Sequence, residues 1–167
     1  MAPLMLETLL FAVLAGAVYT DWRWGKIRNK MLFPAIGAGL ALNAAADGTG
    51  GVLSSVAGAG LGLGLLLLPF VLGGMGAGDA KLMCAVGAIA GAGLVLWAFI
   101  WAGVLGGAMA LVILARKRQF ALVSYMLAFP LAFLSAQRSA GSEEKPGRTR
   151  FPYALAIAGG TAIAWCL

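Results

Sequence analysis

Two aspartates are the residues of this chain whose positions best fit a chemical role. Asp79 lies in the glycine-rich run 73–81, between two long apolar stretches, and Asp21 closes the first apolar stretch just before the basic run 23–30. An ionisable side chain in such a place is energetically expensive, so its default interpretation is a functional site with a partner. Because the chain contains no histidine, this placement favours chemistry carried out by a pair of carboxylates.

The composition excludes several other kinds of catalytic site. Without histidine, Ser-His and Cys-His pairs and the HExxH zinc helix cannot form. Cys84 and Cys166 make no CxxC pair, so we predict neither a disulfide nor a zinc site and expect no metal or other cofactor. No GK[ST] follows the glycine run, which excludes a P-loop. A carboxylate pair is the chemistry that remains.

The carboxylate pair suits hydrolysis. Two aspartates held close together cannot both ionise cheaply, so one tends to keep a proton, and the pair titrates as a unit. The ionised member can take a proton from water while the other donates to the scissile carbonyl oxygen. Gly76 and Gly78 lack a β-carbon and would let an extended substrate approach Asp79, and Lys81 would add a cation. The non-catalytic alternatives are a helix cap for Asp79 and charge balance for Asp21.

The elements that must position these residues are apolar helices. Of the 167 residues, 62% are hydrophobic and 11% are charged, and the mean hydropathy is +0.94. A soluble domain is normally about a quarter charged, so we interpret the chain as an all-α integral membrane protein. Its 25 glycines fit closely packed membrane helices. The first apolar run does not resemble a secretory leader and is expected to stay as a span.

The lengths of the apolar runs predict a single domain, 1–167, built as a bundle of about six transmembrane helices. A span needs about 20 apolar residues, so the uncharged stretch 82–115 is too long for one and should break near residues 91–93. The predicted spans are 4–22, 31–46, 52–72, the two halves of 82–115, and 151–167. Residues 120–134 are expected to form an interfacial helix within a cytoplasmic loop, about 116–150.

The distribution of Lys and Arg predicts the orientation. With the N-terminus outside, segments 23–30, 73–81 and 116–150 are cytoplasmic and carry 4, 1 and 7 of the 12 Lys and Arg residues. This asymmetry follows the positive-inside rule and places the active site at the cytoplasmic face. We therefore interpret the net charge of +6 as a topology signal with membrane-lipid contacts, and we expect no nucleic-acid partner. The depth of Asp79, contact between the aspartates without substrate, and the oligomeric state stay open.

At these residues the chain resembles the type IV prepilin peptidase family of membrane aspartic proteases, most closely its short branch that serves Flp-type (tight-adherence) pili. Three blocks carry the resemblance: residues 20–36, the GxGDxK-like block 76–83, and residues 151–160. The resemblance implies that Asp21 and Asp79 are the catalytic pair. It also implies cleavage of a short basic leader from prepilin-like and pseudopilin precursors at the cytoplasmic face of the bacterial inner membrane, without a metal.

Other residues of the same blocks are candidates for supporting roles. Gly76, Gly78 and Lys81 would support the site, and Arg23 and Asn29 are candidate substrate-binding residues. Two departures from the family concern Arg28, which stands where the family often has proline, and the N-terminal paired-cysteine module, which does not occur here. An N-methyltransferase activity is therefore not implied. The presenilin-like GxGD proteases are a weaker match.

The alternative from another class is a small transporter or pilus-assembly subunit that uses Asp79 for proton coupling. A transporter needs polar groups along a path through the membrane. The chain offers few of these away from its charged segments, namely Asn43, Ser54, Ser55 and Thr161. How these four side chains are used therefore helps to discriminate between the two functions.

Overall fold

The computed structural model describes residues 2–25, 27–71, 75–116 and 153–166, and almost all of them are helical. The helices are α1 (Ala2–Trp24), α2 (Asn29–Val71), α3 (Ala77–Arg116) and α4 (Tyr153–Cys166). These ranges contain no strand, which confirms the all-α prediction. The interfacial helix predicted for residues 120–134 lies outside the described residues, as does nearly all of the predicted loop.

Three of the helices are long and apolar enough to cross a membrane, and α4 is a shorter apolar helix. The three candidate spans are Leu4–Trp24, Asn29–Val71 and Ala77–Met109. Their outer faces carry large apolar side chains that a water-soluble protein would bury. Among the most exposed are Leu4, Trp22, Leu53 and Val71. Length and surface together indicate a membrane protein.

Gly48 divides α2 into two segments. Its φ of 58° and ψ of −129° are not helical, and a positive φ is a conformation that glycine adopts readily. In a straight helix, residues 43 and 51 would lie about 12 Å apart. Here a β-carbon on Gly51 would overlap the carbonyl oxygen of Asn43. The chain therefore folds back at Gly48, and residues 29–47 lie beside residues 49–71.

Gly91 divides α3 in the same way, where the length of the apolar run predicted a break. Its φ is 81° and its ψ is 174°. Tyr153 of α4 lies within electrostatic reach of Asp79, and its ring lies against Gly106. Positions 79 and 106 would be about 40 Å apart in a straight helix, so α3 also folds back. The described ranges thus contain six helical segments, while the number of membrane crossings stays a prediction.

Glycines allow the second segment of α2 to pack closely on the first segment of α3. A β-carbon on Gly58 would overlap the carbonyl oxygen of Gly87, and the converse also holds. One turn along, Gly62 faces the carbonyl oxygen of Met83 equally closely. From the first pair to the second the residue number rises in α2 and falls in α3, so the two segments are antiparallel. Small residues at such a contact are typical of membrane helices, whose association depends on close packing.

Two polar side chains of α2 accompany the break at Gly91. The amide of Asn43 donates to the carbonyl oxygens of Ala88 (3.2 Å) and Ile89 (3.0 Å), and the Ser55 hydroxyl donates to that of Ala88 (2.7 Å). A helix that ends leaves its last carbonyl groups without intrahelical donors. An unsatisfied carbonyl in lipid costs several kcal/mol. Asn43 and Ser55 therefore stabilise the break.

The core of the bundle is centred on the first segment of α3. From Ala80 to Ile89 nearly every side chain is buried, and α3 packs most extensively against α2 and then against α4. α1 adds Leu10, Leu14 and Ala17 to this core. The helix that begins with the Asp79 turn is thus surrounded by the other helices, which fixes the position of its first turn.

Candidate active site

Four chain segments meet at one end of the bundle, which we call the aspartate end. They are the last turn of α1, residues 25 and 27–28, and the first turns of α3 and α4. Gly25, with φ of 60°, ends α1, and its amide N–H donates to the carbonyl oxygen of Asp21 (2.8 Å). A left-handed glycine is a common helix terminator. Ile27 then packs at Gly78, where a β-carbon would lie 3.2 Å from Cβ of Ile27.

Asp79 is the third residue of α3 and is partly buried. The amide N–H of Gly76 donates to Oδ2 of Asp79 (3.2 Å), and the amide N–H of Asp79 donates to the carbonyl oxygen of Gly76 (3.1 Å). The first of these bonds is one half of a capping box, since a glycine has no side chain to supply the other half, so Asp79 does cap its helix. A carboxylate has about four acceptor positions, so the cap leaves Asp79 with capacity to bind water or substrate.

Asp21 lies in the last turn of α1, and its Oδ2 is buried. The negative charges of Asp21 and Asp79 lie close enough to repel each other. The structure therefore brings together two aspartates from different helices, as the sequence predicted from their shared position at helix ends. Proximity alone is what the structure contributes here, and the catalytic roles of the two residues stay predictions.

Two of the predicted supporting residues contact each other at the same end. Nζ of Lys81 donates to Oδ1 of Asn29 (3.3 Å) in an exposed hydrogen bond. Because Asn29 begins α2 and Lys81 lies in the second turn of α3, this bond links the two helices beside Asp79. The two glycines that were predicted to leave room for a substrate lie at the same end, where Gly76 is exposed and Gly78 is partly buried.

Arg23 and Arg28 are exposed at this end, Arg23 in the last turn of α1. The Arg28 guanidinium stacks over the Trp24 ring, 5.1 Å from its centroid. This arrangement is a cation–π contact. Arg23 therefore remains a candidate for contacts with substrate or lipid.

Tyr153 belongs to this end, although the sequence interpretation gave it no role in the site. It is the first residue of α4, it is partly buried, and the charge of Asp79 acts on its phenol group. The sequence feature that could have indicated a role for Tyr153 is its position at the start of the last apolar run, within the block 151–160. The predicted topology placed the start of the last span at the same end as Asp79, but which helices are neighbours at that end could not be read from the sequence.

Three of the four polar residues that a transport path would need are bonded to backbone carbonyls instead. Asn43 and Ser55 donate to backbone carbonyls at the break of α3, and the Thr161 hydroxyl donates to the carbonyl oxygen of Ile157 (2.7 Å). In the part of the chain that the structure describes, no three His, Cys, Asp or Glu side chains lie together as a metal site would require. The chemistry available at the aspartate end is that of two carboxylates, an amine and a phenol.

Comparison with known proteins gives one result. The model of the type IV leader peptidase family matches residues 8–111, a range that contains both aspartates and ends before α4. No curated protein and no solved structure matches the chain. The match covers more than half of the sequence, and it includes most of α1 and α3 and all of α2.

Proposed function

Since this chain belongs to the type IV leader peptidase family, we propose that it is an aspartic endopeptidase that cleaves the leader from Flp-type prepilin-like precursors. The observation that carries the proposal is the proximity of Asp21 and Asp79, which lie on different helices and whose charges repel each other. Bringing two carboxylates together at the edge of an apolar bundle costs free energy, so a functional site is the default interpretation of such a pair. Hydrolysis by a shared-proton pair is such a function.

The proposed reaction needs no covalent intermediate. One carboxylate of the pair is ionised and accepts a proton from a water molecule, whose oxygen attacks the scissile carbonyl carbon. The other carboxyl group is protonated and donates its proton to the carbonyl oxygen. Collapse of the tetrahedral intermediate breaks the C–N bond, and the leaving amine takes a proton from the pair. The capping bond from Gly76 holds the Asp79 carboxylate in a fixed orientation throughout.

Access for the substrate is proposed along the glycine-rich turn before α3. Gly76 is exposed beside the Asp79 carboxylate, and a β-carbon there would lie 3.3 Å from Oδ2. Any larger residue would crowd the carboxylate, whereas glycine leaves room for an extended peptide backbone. The Lys81–Asn29 bond would keep the start of α2 against this turn. These features support a peptide substrate lying across the aspartate end.

The proposed location is the bacterial inner membrane, with six spans, the N-terminus outside and the aspartate end in the cytoplasm. Six helical segments in the described residues support the count, because the chain folds back at Gly48 and Gly91. The exposed cations at the aspartate end support the orientation, because Lys and Arg favour the cytoplasmic side. These cations are Arg23, Arg28 and Lys30.

A cleavage assay tests the proposal. The chain is co-expressed with a Flp-type prepilin, and removal of the leader is followed on a gel. We expect cleavage by the wild type and none by Asp21→Asn or Asp79→Asn at equal levels in the membrane. Asp47→Asn is the matched control. Asp47 is an exposed acid beside the break of α2, so this variant should cleave as the wild type does.

The results that would contradict the proposal are distinct. Cleavage that survives Asp79→Asn would exclude the carboxylate-pair mechanism. If the wild type cleaves neither a Flp-type prepilin nor another type IV prepilin, the proposed peptidase activity is excluded. If Asp47→Asn also fails to cleave, the loss of cleavage is a general effect of removing an acidic side chain or of misfolding, and it does not identify the active site.

A further inference from the structure

We propose that Tyr153 is a third functional group of the active site, whose hydroxyl donates a hydrogen bond to the substrate oxygen that gains negative charge during hydrolysis. The inference rests on the proposed peptidase function and extends it to α4, which lies outside the residues matched by the family model. It is carried by the packing of α4 against α3 and α1.

The packing of α4 on α3 places Tyr153 at the aspartate end. A β-carbon on Gly160 would lie 2.8 Å from Cα of Ala102, and one on Gly106 would lie 2.7 Å from Cε2 of Tyr153. From the first contact to the second the residue number rises along α3 and falls along α4, so the second segment of α3 and α4 are antiparallel. The start of α4 therefore lies beside the end of α3, which the break at Gly91 has returned to the level of Asp79.

The packing of α4 on α1 places Tyr153 on the side of Asp21 as well. Ala158 and Ala162 of α4 line one apolar groove together with Val18 and Trp22 of α1, and Trp22 is the neighbour of Asp21. The helix that begins with Tyr153 thus contacts both α1, which carries Asp21, and α3, which carries Asp79. A group on its first turn can face a substrate bound between the two carboxylates.

The ring of Tyr153 is held in place by close packing. It contacts the backbone of α3 at Gly106, where a β-carbon would also lie 3.3 Å from the phenol oxygen. The residue packs against the hydrophobic core that includes Ala80 and Ala102. A donor whose position is fixed before the reaction stabilises developing charge without the cost of reorganisation. Gly106 and the core supply that fixation here.

The chemistry of phenol suits this role. The ordinary pKa of tyrosine is about 10, so the hydroxyl of Tyr153 carries its proton at neutral pH and can donate it in a hydrogen bond. The Asp79 carboxylate lies within electrostatic reach. The protonated carboxyl group of the pair supplies one donor to the carbonyl oxygen, and the Tyr153 hydroxyl would supply a second, as tyrosine does in oxyanion holes.

The test compares Tyr153→Phe with a matched control, Tyr19→Phe. Both variants lose one phenol oxygen, and Tyr19 is exposed near the end of α1, where its ring contacts Trp24. With detergent-solubilised Flp-type prepilin as the probe, we expect Tyr153→Phe to lower kcat by about 10- to 100-fold, since loss of one such donor costs up to about 1,000-fold. KM should stay within about twofold, and Tyr19→Phe should match the wild type.

A double-mutant cycle separates the hydroxyl from packing. Gly106→Ala displaces the ring but keeps the hydroxyl, so it should lower kcat by itself. Once the hydroxyl is gone, its displacement no longer matters, and Tyr153→Phe with Gly106→Ala should be little worse than Tyr153→Phe alone. Fully additive losses would assign the effect to packing and refute the inference.

Failure of this inference is distinguishable from failure of the proposed function. Wild-type kcat in Tyr153→Phe, in the same assay in which Asp79→Asn is inactive, would refute the role of Tyr153 and leave the carboxylate pair intact. Cleavage by Asp79→Asn would refute the proposed function and the inference together. A fall in activity that merely follows the folded fraction of Tyr153→Phe, measured by thermal unfolding, would also refute the role of its hydroxyl.

Discussion

The contact between Gly62 and α3 determines where Asp79 lies, and an alanine at this position should move it. Gly62 faces the backbone of Met83, which is one turn after Asp79. A β-carbon on Gly62 would overlap the carbonyl oxygen of Met83 and lie 2.7 Å from its carbonyl carbon, whereas ordinary van der Waals contact begins at 3.4 Å. Both partners are backbone atoms of helices, so the overlap cannot be relieved by a side-chain rotation. The two helices must separate.

The magnitude follows from a comparison with Gly64→Ala. A β-carbon on Gly64 would meet nothing within 4 Å, although the residue lies in the same helix two positions later. Both substitutions gain helix propensity of about 0.5–1 kcal/mol, so this gain cancels in the comparison. Only Gly62→Ala adds an overpacking penalty, typically about 1–3 kcal/mol. The free energy of unfolding of Gly62→Ala should therefore be lower than that of Gly64→Ala by about 1–3 kcal/mol.

The separation should also lower activity. A misplacement of about 1 Å near reacting groups can reduce a rate by about 100-fold. Because the first segment of α3 carries Asp79 whereas Asp21 lies on α1, moving α3 changes the distance between the carboxylates. We expect Gly62→Ala to cleave prepilin at least about 10-fold more slowly than Gly64→Ala, at equal levels in the membrane.

The assay combines unfolding and cleavage on the same purified variants. Unfolding is followed by circular dichroism as SDS is added to mixed micelles, and cleavage is followed on gels with a Flp-type prepilin. Equal unfolding free energies for Gly62→Ala and Gly64→Ala would refute the close approach of the two backbones. A destabilised Gly62→Ala that cleaves at the full rate would instead refute the dependence of the site on this contact.

Two further predictions concern the break in α3. Gly91→Ala should lower the free energy of unfolding by about 1–3 kcal/mol relative to Gly93→Ala. The reason is that Gly91 has a φ of 81°, which an L side chain adopts only with strain, whereas a β-carbon on Gly93 meets nothing within 4 Å. Equal thermal unfolding of the two variants would contradict this prediction. Ser55→Ala should be destabilising by about 1–3 kcal/mol because it leaves the buried carbonyl of Ala88 with one donor fewer, whereas exposed Ser54→Ala should change the same melting measurement much less.

Much of the fold could be predicted from the lengths of the apolar runs. A stretch as long as 82–115 cannot remain one span, and the only residues within it that relieve a break at no steric cost are its glycines. The break at Gly91 is therefore a consequence of length and composition, and the structure confirms it. That Asp21 and Asp79 lie at the same end follows from the same reasoning, because two helical segments of opposite direction separate them.

The rest of the site depends on contacts that a pattern of apolar residues does not encode. The helices are apolar on all sides, so no amphipathic stripe tells which face of α3 meets α2. The pairing of Gly58 with Gly87 and the capping of the break by Asn43 and Ser55 are tertiary features. Tyr153 was missed for this reason, since the sequence does not show which helices are neighbours at the aspartate end.

The position of the two aspartates is therefore a property of the apolar interior more than of the polar turns around them. The hydrogen bonds of Lys81 with Asn29 and of Gly76 with the Asp79 carboxylate are exposed, and exposed bonds of this kind contribute little net stability. The overlaps that a β-carbon would create at Gly58 and Gly62 are with backbone atoms and tolerate no adjustment. Substitutions deep in the bundle should for that reason alter catalysis more than substitutions of the exposed cations that surround the site.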